Sequence, residues 1–382
     1  MLRGGAGGGR GGDVPAGAEP RGAKPCGGAI PLPCSTSSPS RSLVDRRVTR
    51  MRLLSPSNLA SDFSRHLRPA AHIAMLRARS STPSSAPAPV QGAHLLPALL
   101  TSLSLPSSPL HPTSSTTSLR RGAGAGPATS TLAVDVVVGA DGANSRVARC
   151  IGAGDYSTAI AFQERMYVGD DVSPDFYAWV FPKCDHVAVG TGTAAAKPAI
   201  RRLQAAARAR AAPKLAGGVV VRVEAHPIPE HPRPRRVAGR AALVGDAAGY
   251  VARCSGEGIY FAAKSGRMCG DAIVRIWKEK GRVAEADLKR EYLRRWDEEF
   301  AGTFRFLDAL QRVFYGSNAA REALVELCSD EYVQRMTFDS YLHKKMAAGR
   351  PLDDLGLLWK SAGSLLRATI LGREVERLRS TL

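Results

Sequence analysis

Residues 240–266 read RAALVGDAAGYVARCSGEGIYFAAKSG, and residues 136–149 read VVVGADGANSRVAR. In the first stretch Ala241–Val244 is a short apolar run, read as a buried strand that ends in Gly245-Asp246. A carboxylate there, followed by small residues and Gly249, can accept hydrogen bonds from a sugar-like chain. The next glycines, Gly256 and Gly258, stand near a helix start expected over 256–277. Their backbone amides can face a ring carbonyl or an anion. The plainer reading is capping, with glycine used for close helix packing. The second stretch closes the apolar run Leu132–Val138, read as a buried parallel strand leading into a turn and a helix. Asp141 can hold a hydroxyl or a backbone amide. Gly142 permits close backbone approach, and Ser145 and Arg146 begin a helix whose amides favour a phosphate. An Asx-capped surface turn is the alternative. Two such turns, about 100 residues apart, form a more specific pattern than either alone.

Between them lies PDFYAWVFPKCDHVAVGTG, residues 174–192. Ala178–Val180 and His186–Val189 read as paired strands. Tyr177, Trp179 and Phe181 alternate and so share one strand face, which could line a groove for a long apolar ligand or belong to an ordinary core. Lys183, at the adjoining turn, either meets a phosphate or is solvated. Gly217–Glu224 reads as a further strand. In the C-terminal third Leu288, Tyr292, Leu293, Trp296, Phe300, Phe304 and Leu307 fall at helical spacing and read as core. Helices are expected over Ala320–Cys328 and Leu355–Arg379 as well.

Upstream the texture changes. The chain has 382 residues and a formal net charge of +19. Residues 1–130 hold 15 Lys/Arg against 4 Asp/Glu, and residues 131–382 hold 38 against 30. Residues 1–23 are dominated by Gly, Ala, Arg and Pro, and 80–119 contain no charged residue. The stretch 80–130 is expected to be irregular. Residues 43–79 read as a short strand and a turn. Cys26, in KPCGGAIPL (24–32), sits in a Pro/Gly turn, either facing a ligand or in a plain loop. An Arg- and Ser-rich, acid-poor N-terminus has the composition of an organelle transit peptide or of a disordered tail. Seven cysteines with no CxxC pair argue against a disulfide scaffold and a structural zinc site, and no metal is expected. No apolar run approaches the roughly 18 residues of a spanning helix. Without a zinc finger, RNP box or basic zipper, no nucleic-acid partner is expected.

On these motifs the segment 132–382 resembles the plant geranylgeranyl diphosphate reductases, flavoproteins built like para-hydroxybenzoate hydroxylase. VVVGADGANSRVAR, the YxWxFPK run with GTG, VEAHPIPEHPRPRR, LVGDAAGYVARCSGEGIYFAAKSGRMC and the tail FLDALQRVFYGSNAAREALVEL with DEYVQRMTFDSYL carry the likeness. KPCGGAIPL and LVDRRVTRMRLLSPSN resemble pieces of that family's N-terminal half. The resemblance implies an α/β, FAD/NAD(P)-binding fold with an antiparallel substrate sheet and a helical C-terminus. The N-terminal third is expected to be largely irregular. The expected organisation is an aberrant segment 1–130 holding fragments of the FAD-binding half (24–32, 43–79), FAD-binding strands and substrate sheet over 131–285, and a helical region over 286–382.

The resemblance further implies an enzyme that takes hydride from NADPH through FAD and reduces a geranylgeranyl chain to phytyl. The substrate would be geranylgeranyl diphosphate or geranylgeranyl-chlorophyll, in the chloroplast, at the thylakoid or in the stroma. A membrane-embedded light-harvesting-like anchor protein and a peripheral membrane contact are the implied partners. Cys26, Asp141, Gly142, Arg146, Gly245, Asp246, Gly249, Gly256 and Gly258 match cofactor positions; Tyr177, Trp179, Phe181 and Lys183 match the prenyl-binding segment. The proton donor is open among Tyr177, Cys26 and ordered water. The substrate diphosphate could meet Lys183 or Arg233–Arg236, PRPRR being otherwise a solvated basic loop. One departure stands out: the family's strand and G-x-G-x-x-G turn have no counterpart. Gly4–Gly12 supply glycines without a preceding strand. Abrupt loss and return of the pattern is what a shifted reading frame or faulty gene model produces, a divergent insertion being the other reading. Two alternatives follow: a defective relative without FAD, and a flavin monooxygenase on the same fold.

Overall fold

The computed structural model describes residues 28–31, 44–67, 73–76, 98–105, 115–121, 129–166, 178–183, 186–344 and 363. The readings of Cys26, Tyr177, Gly4–Gly12 and, apart from Gly363, the helix expected at 355–379 lie outside the described residues. The chain divides into two discontinuous units. One takes Met1–Cys26, Ala78–Ala159 and His226–Gly302; the other takes Gly27–Arg77, Ile160–Ala225 and Thr303–Leu382. Composition tracks position along the chain, whereas each unit gathers elements far apart in it.

In the first unit Ala241–Leu243 pairs in parallel with Val137–Gly139 and antiparallel with Val237–Ala238. Ala241, Ala242 and Leu243 are fully buried, as their apolar run demands. A Cβ at Gly139 would stand 2.7 Å from Leu243 Cδ2 and 2.8 Å from Val147 Cβ, so glycine lets the helix Arg146–Cys150 pack against the sheet. The run Leu132–Val138 is not one parallel strand. Its first part belongs to Thr129–Val134, which pairs antiparallel with Ser115–Arg121, itself paired with Ala98–Ser104. At 98–104, 115–121 and from 129 this sheet corrects the irregular reading of 80–130; the remainder of that stretch, Leu105 apart, lies outside the described residues. The prolines at 97, 106, 109 and 112 flank the strands rather than interrupt them, and β-branched threonines and alternating leucines favour the ladder.

The helix Ile259–Lys280 buries Phe261, Ser265, Cys269, Ala272 and Ile276 along one stripe. After Gly281 the chain forms Glu285–Leu288, a π-helical turn Lys289–Leu293 and the helix Arg294–Phe314. Leu288, Tyr292, Trp296 and Phe300 are four residues apart and all buried. At 3.6 residues per turn that spacing would drift around the helix; the wide π turn keeps it on one face. Trp296 stacks on Tyr250 at 4.0 Å and Phe261 meets Phe300 edge-on at 5.6 Å. Tyr292 donates its hydroxyl to the Leu243 carbonyl at 2.7 Å. Burial pushes the Tyr250 phenol up to about 12 and holds that of Tyr292 well above its ordinary range.

The second unit holds most of a four-stranded sheet that runs Ala178–Pro182, Val187–Thr193, Thr158–Met166, Arg222–Pro229, the first three pairing antiparallel. The strand expected from Gly217 begins only at Arg222, and Val219–Val221 are exposed ahead of it. The helix Ile200–Arg210 covers the sheet, and Gln204 Nε2 donates to the Val189 carbonyl at 3.1 Å. Residues 27–77 fall in this unit, and 1–26 in the first. Arg52–Leu54 and Ala60–Asp62 form a hairpin. Phe63 beyond it joins Cys328, Val333, Phe338 and Leu342 of the C-terminal helices in one core. The expected strand and turn over 43–79 are thus present. Among the described residues no helix is long and apolar enough to cross a membrane, and no group of three His, Cys, Asp or Glu could hold a metal ion.

Candidate functional site

The first turn follows the strand Val137–Gly139. Gly142 is buried at φ +78°. Both oxygens of Asp141 are engaged: Ser145 Oγ donates to Oδ1 at 2.5 Å, and the amides of Arg146 and Val147 donate to Oδ2 at 2.6 and 3.2 Å. Ser145 in turn accepts from the Ala148 amide at 2.9 Å. The helix-start amides of Arg146 and Val147 therefore face a carboxylate from this chain, which is the capped-turn geometry. The Arg146 side chain is half-exposed.

The second turn is a short helix, Gly245–Ala248. Gly245, at φ +55°, donates its amide to Ser265 Oγ at 3.0 Å and stands against Ala262. Asp246 is half-buried, and among the described residues its carboxylate accepts no hydrogen bond. Gly258 stands directly against it, where a Cβ would come within 3.1 Å of Asp246 Oδ1 and 3.2 Å of Val251 Cγ2. Gly256, at φ +62°, closes the intervening turn by donating to the Ala252 carbonyl at 2.8 Å. Gly249 has a different neighbour. At φ +80° its missing Cβ would collide with the His231 carbonyl oxygen, 3.0 Å from Pro232 Cα and 3.1 Å from the Arg233 nitrogen. That glycine lets the His231–Arg233 strand of chain cross the turn.

Of the arginines of PRPRR, Arg233 is buried and Arg236 half-buried, both engaged by the chain itself, whereas Arg235 is exposed as the solvated-loop reading expects. Arg233 is 7% exposed and donates to the carbonyls of Ala247 (3.0 Å), Gly154 (2.6 Å) and Ala143 (3.4 Å). Arg235 donates to the Ile151 carbonyl at 3.3 Å. Arg236 forms a two-pronged pair with Asp297 at 2.7 and 3.0 Å; burial opposes its charge, but Tyr250 and Asp297 beside it hold the guanidinium above its usual range. Tyr156 donates its hydroxyl to the Ala143 carbonyl at 2.6 Å, and burial raises its phenol. Sequence reasoning missed Tyr156, and nothing in its local pattern marks it.

Trp179, Phe181 and Lys183 lie in the other unit. The Trp179 and Phe181 rings stack at 6.3 Å and 29°, so they do share a strand face. Lys183 is buried at 4% exposure rather than solvated, and its amide donates to the His186 carbonyl at 2.8 Å.

The Asp246 carboxylate, with open acceptor oxygens and a glycine pressed against it, fits the hydroxyl-bearing chain of a flavin dinucleotide; the glycine-rich 256–258 turn fits a planar ring that needs close backbone approach. Fold and turns together give the chain an architecture shared with flavin-dependent enzymes. A geranylgeranyl bacteriochlorophyll reductase-like protein from Thermoplasma acidophilum superposes with a TM-score of 0.67, over 90% of this chain and 85% of that one, at 16% identity. A flavin-dependent brominase gives 0.61 over 89% and 84%, at 11% identity. No protein-family model matches the chain. The chloroplastic geranylgeranyl diphosphate reductase of Nicotiana tabacum is 54% identical over 93% of this chain and 81% of its own length, and that of Oryza sativa 53% over 93% and 81%. The Synechocystis geranylgeranyl diphosphate reductase is 49% identical over 91% and 90%. The chain belongs to the geranylgeranyl diphosphate reductase family, and its plant relatives make it a chloroplast member. The aligned 93% exceeds what 131–382 alone could supply, so the likeness reaches well into the N-terminal third.

Proposed function

We propose that this chain reduces the double bonds of a geranylgeranyl chain, carried on diphosphate or chlorophyll, to phytyl, with FAD bound at the two glycine–aspartate turns and NADPH as reductant. The observation that carries the reading is Asp246: a half-buried carboxylate that accepts no hydrogen bond among the described residues, against Gly258, in a chain 54% identical to a named reductase. When bound, the flavin supplies hydride transfer. The chain's own residues bind and orient. Asp246 accepts from the ribityl hydroxyls, Gly245, Gly256 and Gly258 admit close backbone approach, and Gly142 and Arg146 border the first turn. Gly249 serves the site indirectly, through the chain segment that crosses it. The strand face shared by buried Trp179 and half-buried Phe181 is proposed to meet a prenyl chain. Cys26 and Tyr177 remain proposed as the flavin-side thiol and a prenyl-contact or proton-donating phenol.

Peripheral membrane contact is proposed with a distinct support. Residues 197–223 carry seven Lys/Arg and no acid, and they end in Val219, Val221 and Val223, which are 67, 57 and 52% exposed. A light-harvesting-like anchor protein is the proposed companion at that membrane.

Flavin retention tests the reading. Purified protein incubated with excess FAD and gel-filtered is expected to keep a stoichiometric visible flavin band. Asp246→Asn should weaken FAD by about tenfold or more, since hydrogen bonds to charged groups contribute about 1.5–3 kcal/mol. Folded protein that retains no flavin overturns the proposal. Bleaching of the flavin by NADPH without oxygen consumption separates a reductase from a monooxygenase.

A further inference from the structure

We propose that Arg233 is a positioning residue that locks the two glycine–aspartate turns into one cradle, with Tyr156 as its platform. The inference rests on the flavin reading above and deepens it. A buried guanidinium is costly unless its donors are paired. Arg233 spends them on both turns at once. Nη1 and Nη2 reach the Gly154 and Ala143 carbonyls on the Asp141 side. Nε reaches the Ala247 carbonyl on the Asp246 side, and the Arg233 amide donates to the Ala248 carbonyl at 2.9 Å. Those last two carbonyls end the Gly245–Ala248 helix, where a cation complements the dipole.

Tyr156 completes the clamp. Its ring lies 3.6 Å beneath the Arg233 guanidinium, and its hydroxyl shares the Ala143 carbonyl with Arg233. The hydroxyl also lies 3.4 Å from the Asp246 carbonyl. Gly249 is the third component, because only a residue without Cβ lets the His231–Arg233 backbone pass so close. No carboxylate lies within ion-pair distance of Arg233 among the described residues. Its role is therefore the planar fork, which reaches three carbonyls in fixed directions. A lysine keeps the charge but cannot reproduce that geometry.

Arg233→Lys is the discriminating variant, read in two ways. In FAD titrations well below the unfolding midpoint, it should bind at least about tenfold more weakly, with cooperative unfolding retained. In the flavin-free protein, hydrogen exchange should speed up together at the Arg146 and Val147 amides of one turn and the Gly249 and Tyr250 amides of the other. A residue that only adds stability would lower the midpoint and leave the affinity of the folded protein unchanged. Folded Arg233→Lys that binds FAD within about threefold of the parent, or whose two turns exchange independently, overturns the clamp. Should Arg233→Lys fail to fold, Tyr156→Phe, which removes one hydroxyl and keeps the ring, carries the same two readouts with a smaller expected loss of about threefold. If the parent itself binds no FAD, the flavin reading fails. The exchange experiment needs no flavin and then decides the clamp by itself.

Discussion

Asp141 and Asp246 each follow a short strand and a glycine, buried in full only ahead of Asp246, yet they meet opposite fates. Asp141 is consumed by the amides of Arg146 and Val147 and by Ser145, whereas Asp246 keeps its oxygens open beside Gly258. The difference is local. After Asp141 the chain turns straight into a helix whose free amides need an acceptor; after Asp246 the helix has already begun, and the carboxylate projects from its first turn. Gly249 gives the residue-scale prediction. Gly249→Ala must place a Cβ at φ +80° against the His231 carbonyl and the Arg233 nitrogen. Both backbone strain and the collision act, so urea unfolding should show a loss of more than about 2 kcal/mol. A loss under about 0.5 kcal/mol would mean that the His231–Arg233 segment moves away at little cost, and the packing role would then be wrong.

At the scale of elements, the hairpin Arg52–Leu54/Ala60–Asp62 carries a pH signature. Asp62 is held down to about 2, first by hydrogen bonds from Ser64 and then by Arg52 at 3.1 Å, against an ordinary value of 3.8. A depressed folded-state carboxyl stabilises the fold above its unfolded value and loses that effect as pH falls through its folded value. Asp62→Asn should therefore unfold more easily than the parent at pH 6, with the gap narrowing below about pH 4 and closing only below about pH 2. A constant gap between their thermal midpoints across that range would show that the carboxylate's charge is irrelevant. The legibility of the elements follows from similar local causes. The strand Ala241–Leu243 and the helix after Gly258 were readable because a short apolar run, a glycine and small helical residues coincide. The strands at 98–134 were not, because a charge-free Ser/Thr/Leu/Pro composition reads as irregular until antiparallel partners supply its hydrogen bonds. Arg233 was misread for the opposite reason. Basic residues among prolines look solvated, and only the folded backbone reveals carbonyls from two turns converging on one guanidinium.

Over the whole molecule the charge of +19 is a poor guide to partners until it is divided by place and by exposure. Buried arginines such as Arg233 and Arg236 serve the interior, and the lysines and arginines at 264–295 largely pair with nearby carboxylates. The stretch 197–223 differs: Lys197, Arg201 and Arg202 are exposed, no acid lies in the sequence between them and the exposed valines, and Val219 is the most exposed large apolar residue described. Cations that attract anionic lipid, next to side chains that prefer a bilayer to water, give a two-part binding energy. The parts separate experimentally. Co-sedimentation with vesicles containing anionic lipid should be strong at low salt and fall as the Debye length shrinks from about 10 Å at 0.1 M to about 3 Å at 1 M. Replacing Val219, Val221 and Val223 with serine removes the apolar part, so it should abolish the residual binding at high salt. It should move the thermal midpoint little, because exposed substitutions away from packed features stay within about 0.5 kcal/mol. Binding that is unchanged in the triple-serine protein, or equal on vesicles without anionic lipid, would remove this surface from the membrane contact.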